Sequence, residues 1–149
     1  MTRFLPVFCT LFLLLLSLPL AAGQKETFGD YEVHYSVIPS TFIQPDIAEQ
    51  HGLTRSRSIG LLNVSVLKKD TDDPGPAKGQ TVHLEGHVRN QAQQLQNLTF
   101  RRVREGDAVY YLAQFQYREG ELMTFRVNAS PYGEGEDMPV RFSQELFSD

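Results

Sequence analysis

The chain contains no tryptophan, and its one cysteine, Cys9, lies near the N-terminus. An intramolecular disulfide is therefore excluded, and removal of Cys9 with a leader would exclude thiol catalysis and thiolate metal sites as well. The lack of tryptophan removes the usual stacking platform for carbohydrate. Neither sign of charge dominates: 14 Lys and Arg against 18 Asp and Glu give a net charge of −4, a mildly acidic balance unsuited to nucleic acid. There is no Gly-x-Ser-x-Gly elbow, no paired-histidine zinc motif and no phosphate-binding glycine loop, so nucleophilic hydrolysis has no support.

What is present begins with a leader. Met1-Thr2-Arg3 carries one positive charge, and the following apolar run, residues 4–20, is centred on Leu11-Phe12-Leu13-Leu14-Leu15-Leu16 and ends in Ala21, Ala22 and Gly23. A charged start, a short apolar core and a small-residue exit predict a signal peptide over residues 1–23, cleaved after Ala22 or Gly23. Pro6 and Pro19 interrupt the run, which falls short of the ~20 residues of a membrane span. Cys9 precedes the apolar core instead of following it, so lipidation is not expected. Cleavage after Gly23 would leave 126 of the 149 residues and lower Lys+Arg from 14 to 13, for a balance of about −5. Residues 24–149 are expected to form one domain, which at this size buries about two thirds of its unfolded surface.

Apolar residues then recur with a period of two, the mark of half-buried strands. Over 30–38, Tyr31, Val33, Tyr35 and Val37 alternate with Glu32, His34 and Ser36. Pro45 can open a short helix that Gly52 closes. Further strands are expected at 60–67, whose leucine-rich start suggests a central position, and at 81–89, separated by the Asp/Pro/Gly loop 70–76. Residues 95–104 read as one strand with a bulge, because Leu98, Phe100 and Val103 break strict alternation. Glu105-Gly106-Asp107 is turn chemistry before a well-buried strand at 108–117, residues 118–121 read as a hairpin connection to 122–128, and a last strand covers 138–142. This pattern predicts an all-β, antiparallel, immunoglobulin-like β-sandwich with one short helix.

Residues 107–113, Asp-Ala-Val-Tyr-Tyr-Leu-Ala, resemble the sixth strand of immunoglobulin variable domains, with Leu112 where the cysteine would stand and Tyr110 in the tyrosine-corner position. A wider resemblance rests on three blocks: Phe28-Gly29-Asp30-Tyr31-Glu32-Val33-His34-Tyr35, then Arg55-Ser56-Arg57 ahead of Gly60-Leu61-Leu62-Asn63-Val64-Ser65-Val66, then Val103-Arg104-Glu105-Gly106-Asp107. In order and spacing these resemble the domain-of-unknown-function family DUF4426, small exported proteins of Gram-negative bacteria. The resemblance implies export to the bacterial periplasm and transfers no catalytic residue.

Two constellations could carry function. His34, His83 and His87 fall on the polar phase of their strands and could share a sheet face as metal ligands, imidazole being the ligand left when cysteine is absent. His83 and His87 are about 13 Å apart along one strand, however, too far to chelate one ion without a bulge at Gly86. Arg101, Arg102 and Arg104, with Arg55 and Arg57, could form an anion- or partner-binding surface, since guanidinium forks suit carboxylates and phosphates. The plainer use of such arginines is pairing with Glu32, Glu85, Glu119 and Glu121 on neighbouring strands. Asp70, Asp72 and Asp73 do not open a calcium loop, because Pro74 and Thr81 occupy ligand positions. Glu134, Glu136 and Asp137 suit a solvated turn. Tyr110, Tyr111, Phe115, Tyr117 and Phe125 suit core packing more than a binding groove. The Asn-x-Ser/Thr triplets at Asn63, Asn97 and Asn128 read as chance matches.

The expectation is a non-enzymatic binding or accessory module of the periplasm, without cofactor, nucleic-acid partner or membrane span after signal cleavage. Its partner would be a periplasmic protein or small ligand held by Arg55, Arg57, Arg101, Arg102 and Arg104. The alternatives are a metal-binding protein using His34, His83 and His87, or a hydrolase acting on envelope material through unrecognised carboxylates.

Overall fold

The computed structural model describes residues 23–133 and 135–148. The expected signal peptide, Cys9 and Glu134 lie outside the described residues apart from Gly23. Among the described residues ten strands follow in order: β1 Gln24–Phe28, β2 Tyr31–Pro39, β3 Ile59–Lys68, β4 Lys78–Gly79, β5 Val82–Arg89, β6 Leu95–Asn97, β7 Arg101–Glu105, β8 Ala108–Gln116, β9 Leu122–Pro131 and β10 Met138–Glu145. A 3-10 turn, Ser40–Phe42, and one α-helix, α1 Pro45–Gln50, lie between β2 and β3. The strands pair antiparallel throughout. Sheet A runs β1-β2-β3-β8-β7 with β4 also on β3, and sheet B runs β10-β9-β5-β6. The class is the expected all-β antiparallel sandwich with one short helix.

Period-two patterning positions the core. Val33, Val37, Leu62, Val64, Val66, Val109 and Ala113 from sheet A meet Val82, Val88, Met123, Phe125, Val127 and Val140 from sheet B, all buried. Rings join the sheets. Tyr35 of β2 stacks on Phe142 of β10 at 4.3 Å between centroids, Phe142 on Phe125 at 4.8 Å, and Phe125 meets the Phe115 edge at 5.0 Å. Such stacked and edge-to-face pairs add to the area they bury. A Cβ on Gly60 would collide with the Phe115 ring, which explains the smallest residue at that point of a central strand. The Tyr111 hydroxyl crosses the layer, donating to the Val82 carbonyl at 3.1 Å and accepting from the Val82 N–H at 2.9 Å. Tyr111, not Tyr110 at the corner position, thus ties the sheets together.

A second, smaller core lies outside sheet A. Ile43, Ala48 and Leu61 are buried there with Ile38, Leu53 and Leu112 packed around them, so α1 covers one end of the outer face. Pro45 begins the helix as expected, and Gly52, at φ +63°, takes the left-handed conformation that ends it.

Several expectations change. Residues 95–104 are two strands, not one with a bulge: β6 pairs β5 in sheet B and β7 pairs β8 in sheet A. Leu98 is buried between them and its N–H donates to the Gly86 carbonyl at 2.9 Å, so the broken alternation marks a crossing between layers. Residues 118–121 are likewise an arch, because β8 and β9 belong to different sheets; the Glu105-Gly106-Asp107 turn, by contrast, closes a hairpin, β7–β8, with Glu105 opposite Ala108. β1 and β4 were not anticipated. Four of the five β1 residues are exposed, and β4 has only two residues, so neither carries an alternating signal. The last strand runs on to Glu145.

Candidate functional site

The topology places the three histidines on two opposite surfaces. His34 lies beside Val33, whose side chain points into the core, so it stands on the outer face of sheet A, opposite Lys25 and Ser65. His83 and His87 alternate with the buried Val82 and Val88 on β5 and stand on the outer face of sheet B. The expected shared face is therefore not formed, and the whole sandwich separates His34 from the other two. His34 and His83 each bond a carboxylate two residues away on their own strand, His34 to Glu32 at 3.1 Å and His83 to Glu85 at 2.9 Å. Among the described residues no group of three or more His, Cys, Asp and Glu side chains is gathered as a metal site would need.

Burial and charge perturb two groups near His34. The Glu32 carboxyl is held below the usual glutamate range, chiefly by the His34 hydrogen bond and further by the charges of Lys25, His34 and Lys69, against an opposing contribution from desolvation. Burial pushes the Tyr35 hydroxyl up, with the Glu26 carboxylate adding to it.

The expected arginine surface is also divided. Arg55 donates from Nε to the Ile43 carbonyl at 2.8 Å and from Nη2 to the Thr41 carbonyl at 3.2 Å, so it fastens the loop after α1 to the segment before it. Arg101 pairs with Leu112 on the outward phase of β7 and its guanidinium lies by Gly52. Arg102 and Arg104 are opposite Tyr111 and Val109, on the other phase, and Arg104 donates to the Thr81 hydroxyl at 2.9 Å. Arg57 lies with Arg118, Glu119 and Ser148 around a separate hollow. Arg55 and Arg101 flank the helical segment; Arg57, Arg102 and Arg104 do not join them in one concave site.

Sheet B builds what the sequence did not single out. Register aligns Asn97, His87, Arg126 and Arg141 in one row across β6, β5, β9 and β10. On one side of it runs the row Glu85, Asn128, Pro139, and on the other Arg89, Thr124, Ser143. A furrow of about 740 Å³ crosses the four strands, with Glu85, His87, Asn97, Arg126, Asn128 and Arg141 along it and Leu84 and Pro139 among its walls. His87, Arg126 and Arg141 also line an adjoining hollow of about 380 Å³ with Arg89, Asn90 and Gln93. Among the described residues no carboxylate is paired with Arg126 or Arg141. Two unpaired guanidinium groups one strand apart, about 5 Å at their backbones, can grip one oxyanion or two adjacent ones. The signal was present in outline: Arg89, Arg126 and Arg141 all fall on the polar phase of their strands, but only the β5-β9-β10 order brings them together.

An antiparallel two-sheet sandwich with a cationic furrow across one outer face is thus the kind of molecule the fold and site define. The chain belongs to the family described as Domain of unknown function (DUF4426), whose model matches residues 25–149. The crystal structure of a DUF4426 family protein from Pseudomonas aeruginosa PAO1 is similar at 33% identity and a TM-score of 0.72, covering 88% of this chain and 99% of that one. Two structures of FetP from uropathogenic Escherichia coli strain F11 share the fold. A copper-bound single-residue variant of it has 12% identity, a TM-score of 0.60 and coverage of 83% of this chain and 94% of that one. The as-isolated protein, recombinantly expressed in the periplasm, has 13% identity, a TM-score of 0.59 and coverage of 85% and 94%. No curated protein matches the chain.

Proposed function

We propose that this protein is an exported, non-enzymatic binding module of the bacterial periplasm, and that its ligand face is the outer surface of sheet B. The observation that carries the reading is the pair Arg126 and Arg141, aligned with His87 in an open furrow and without carboxylate partners among the described residues. An arginine in a settled surface pair offers a ligand little, whereas an unpaired guanidinium in a concavity offers a charged, planar fork. Export is supported by the charged start, apolar core and small-residue exit of residues 1–23. Among the described residues no helix is long and apolar enough to cross a membrane. FetP contributes fold alone. The copper of that protein is not carried to this chain, where His34 stands on the opposite surface from His83 and His87.

The reading is tested by amide-resolved NMR titration of the protein lacking residues 1–23 with N-acetyl-alanine, a minimal carboxylate. Saturable shifts should concentrate on β5, β9 and β10 around residues 87, 126 and 141, and should vanish in the double variant Arg126→Ala, Arg141→Ala. Shifts that survive the double substitution, or that fall equally on sheet A, would remove this face from consideration.

A further inference from the structure

The furrow is bipolar. One end carries Arg126, Arg141 and His87, with Arg89 in the adjoining hollow beyond them, whereas the other end carries Glu85, two residues before His87 on the same outward phase of β5. The Glu85 side chain is 74% exposed, and only its Oε1 engages His83. Asn97 in the His87 row and Asn128 in the Glu85 row set a side-chain amide, which can both donate and accept, beside each pole. Asn128 gives one N–H to the Ser130 hydroxyl at 3.3 Å, with its carbonyl oxygen uncommitted among the described residues.

A ligand matching this arrangement has a carboxylate at one end, an amide in the middle and an ammonium at the other. We propose, building on the reading above, that the furrow takes a short zwitterionic peptide, its C-terminal carboxylate on Arg126 and Arg141 and its N-terminal ammonium beside Glu85. Length follows from geometry. The Glu85 row and the His87 row are about 7 Å apart along the strand, and the midpoint between β9 and β10 lies about 7 Å across the sheet from β5, so the poles stand about 10 Å apart at their backbones. An extended peptide covers at most about 3.3–3.6 Å per residue, so a tripeptide spans the two poles and a dipeptide reaches them with the help of the long arginine side chains. A longer peptide must lift one charged end off its partner. Pro139, opposite Asn128 on the neighbouring strand, gives apolar contact suited to small side chains.

The experiment compares L-Ala-L-Ala with its N-acetylated and its C-amidated forms, and with hexa-alanine, by calorimetry and the same amide-resolved titration. Ala-Ala should bind at least tenfold more tightly than either blocked form and than the hexapeptide. Glu85→Gln should abolish the preference for the free amine while leaving N-acetyl-Ala-Ala bound as before; the double variant Arg126→Ala, Arg141→Ala should lose every carboxylate-bearing peptide. If the acetylated and free dipeptides bind wild type equally at Arg126 and Arg141, or if the preference survives Glu85→Gln, the peptide proposal is overturned and the anion-binding reading stands alone. If no carboxylate-bearing peptide perturbs the furrow, both are overturned together.

Discussion

The two outer faces of the sandwich use arginine in opposite ways. On sheet A, the segment from the 3-10 turn through α1 folds back over Leu61 and Leu112, and Arg55 closes it by donating to the Thr41 and Ile43 carbonyls. Ser40, fully buried, reinforces the closure: its hydroxyl donates to the Ser56 carbonyl and accepts from the Ser56 N–H, both at 2.8 Å. On sheet B no described segment returns across the face, and Arg126 and Arg141 meet no carboxylate among the described residues. Where the chain supplies carbonyl acceptors of its own, an arginine becomes a fastener; where strands alone make the surface, the same side chain stays available to a ligand. Residue type alone does not decide between these roles.

The sharpest way to break the comparison is to remove what both faces rest on. Phe125 is fully buried and touches rings from both sheets. Phe125→Ala should cost about 3–5 kcal/mol, read by urea denaturation, with hydrogen-exchange protection lost on both faces together; protection surviving on one face would show that the sandwich is not one cooperative unit. A smaller change should separate the faces. Arg55→Ala removes two charge-assisted bonds to carbonyls and should cost about 1–2 kcal/mol. Exchange should quicken at the N–H groups of Ala48, His51 and Leu53, which bond within and just beyond α1, while β5, β9 and β10 keep theirs. Equal loosening around Arg126 would mean that the two faces are coupled through the core.

How much of this was legible depends on which side of each strand is wet. β2, β3, β5 and β8 each bury one phase, so Val33, Val64, Val88 and Ala113 announce both the strand and its orientation. β1 has no buried phase and left no pattern. Sheet membership was not legible at all, since Gly106 in a hairpin and Gly120 in an arch both adopt positive φ, +58° and +74°, and local turn chemistry is alike in the two. The same limit governed the sites. His87, Arg126 and Arg141 could each be placed on a wet phase, but their meeting depends on β9 lying between β5 and β10. The arginines that drew notice, clustered in sequence at Arg101, Arg102 and Arg104, are divided by the alternation that makes β7 a strand.

The smallest effect distinguishes two pairs of the same design. Glu32 and His34 on sheet A, like Glu85 and His83 on sheet B, bond two residues apart on one strand, but the Glu32 side chain is 14% exposed and the Glu85 side chain 74%. Water screens the latter pair, which should contribute little to stability. The Glu32 carboxyl is held below the usual glutamate range by its hydrogen bond from His34 before any other cause. Its folded form therefore binds a proton less readily than the unfolded chain does. The stabilisation is complete at pH values above the unfolded glutamate range and is lost as pH falls through that range and then through the lower folded value. Melting temperatures of wild type and Glu32→Gln should accordingly differ at neutral pH and converge on acidification, whereas Glu85→Gln should track wild type closely. A gap between wild type and Glu32→Gln that stays constant down to about pH 3, below the ordinary glutamate range, would mean that Glu32 stabilises the sheet through its packing and not through its charge.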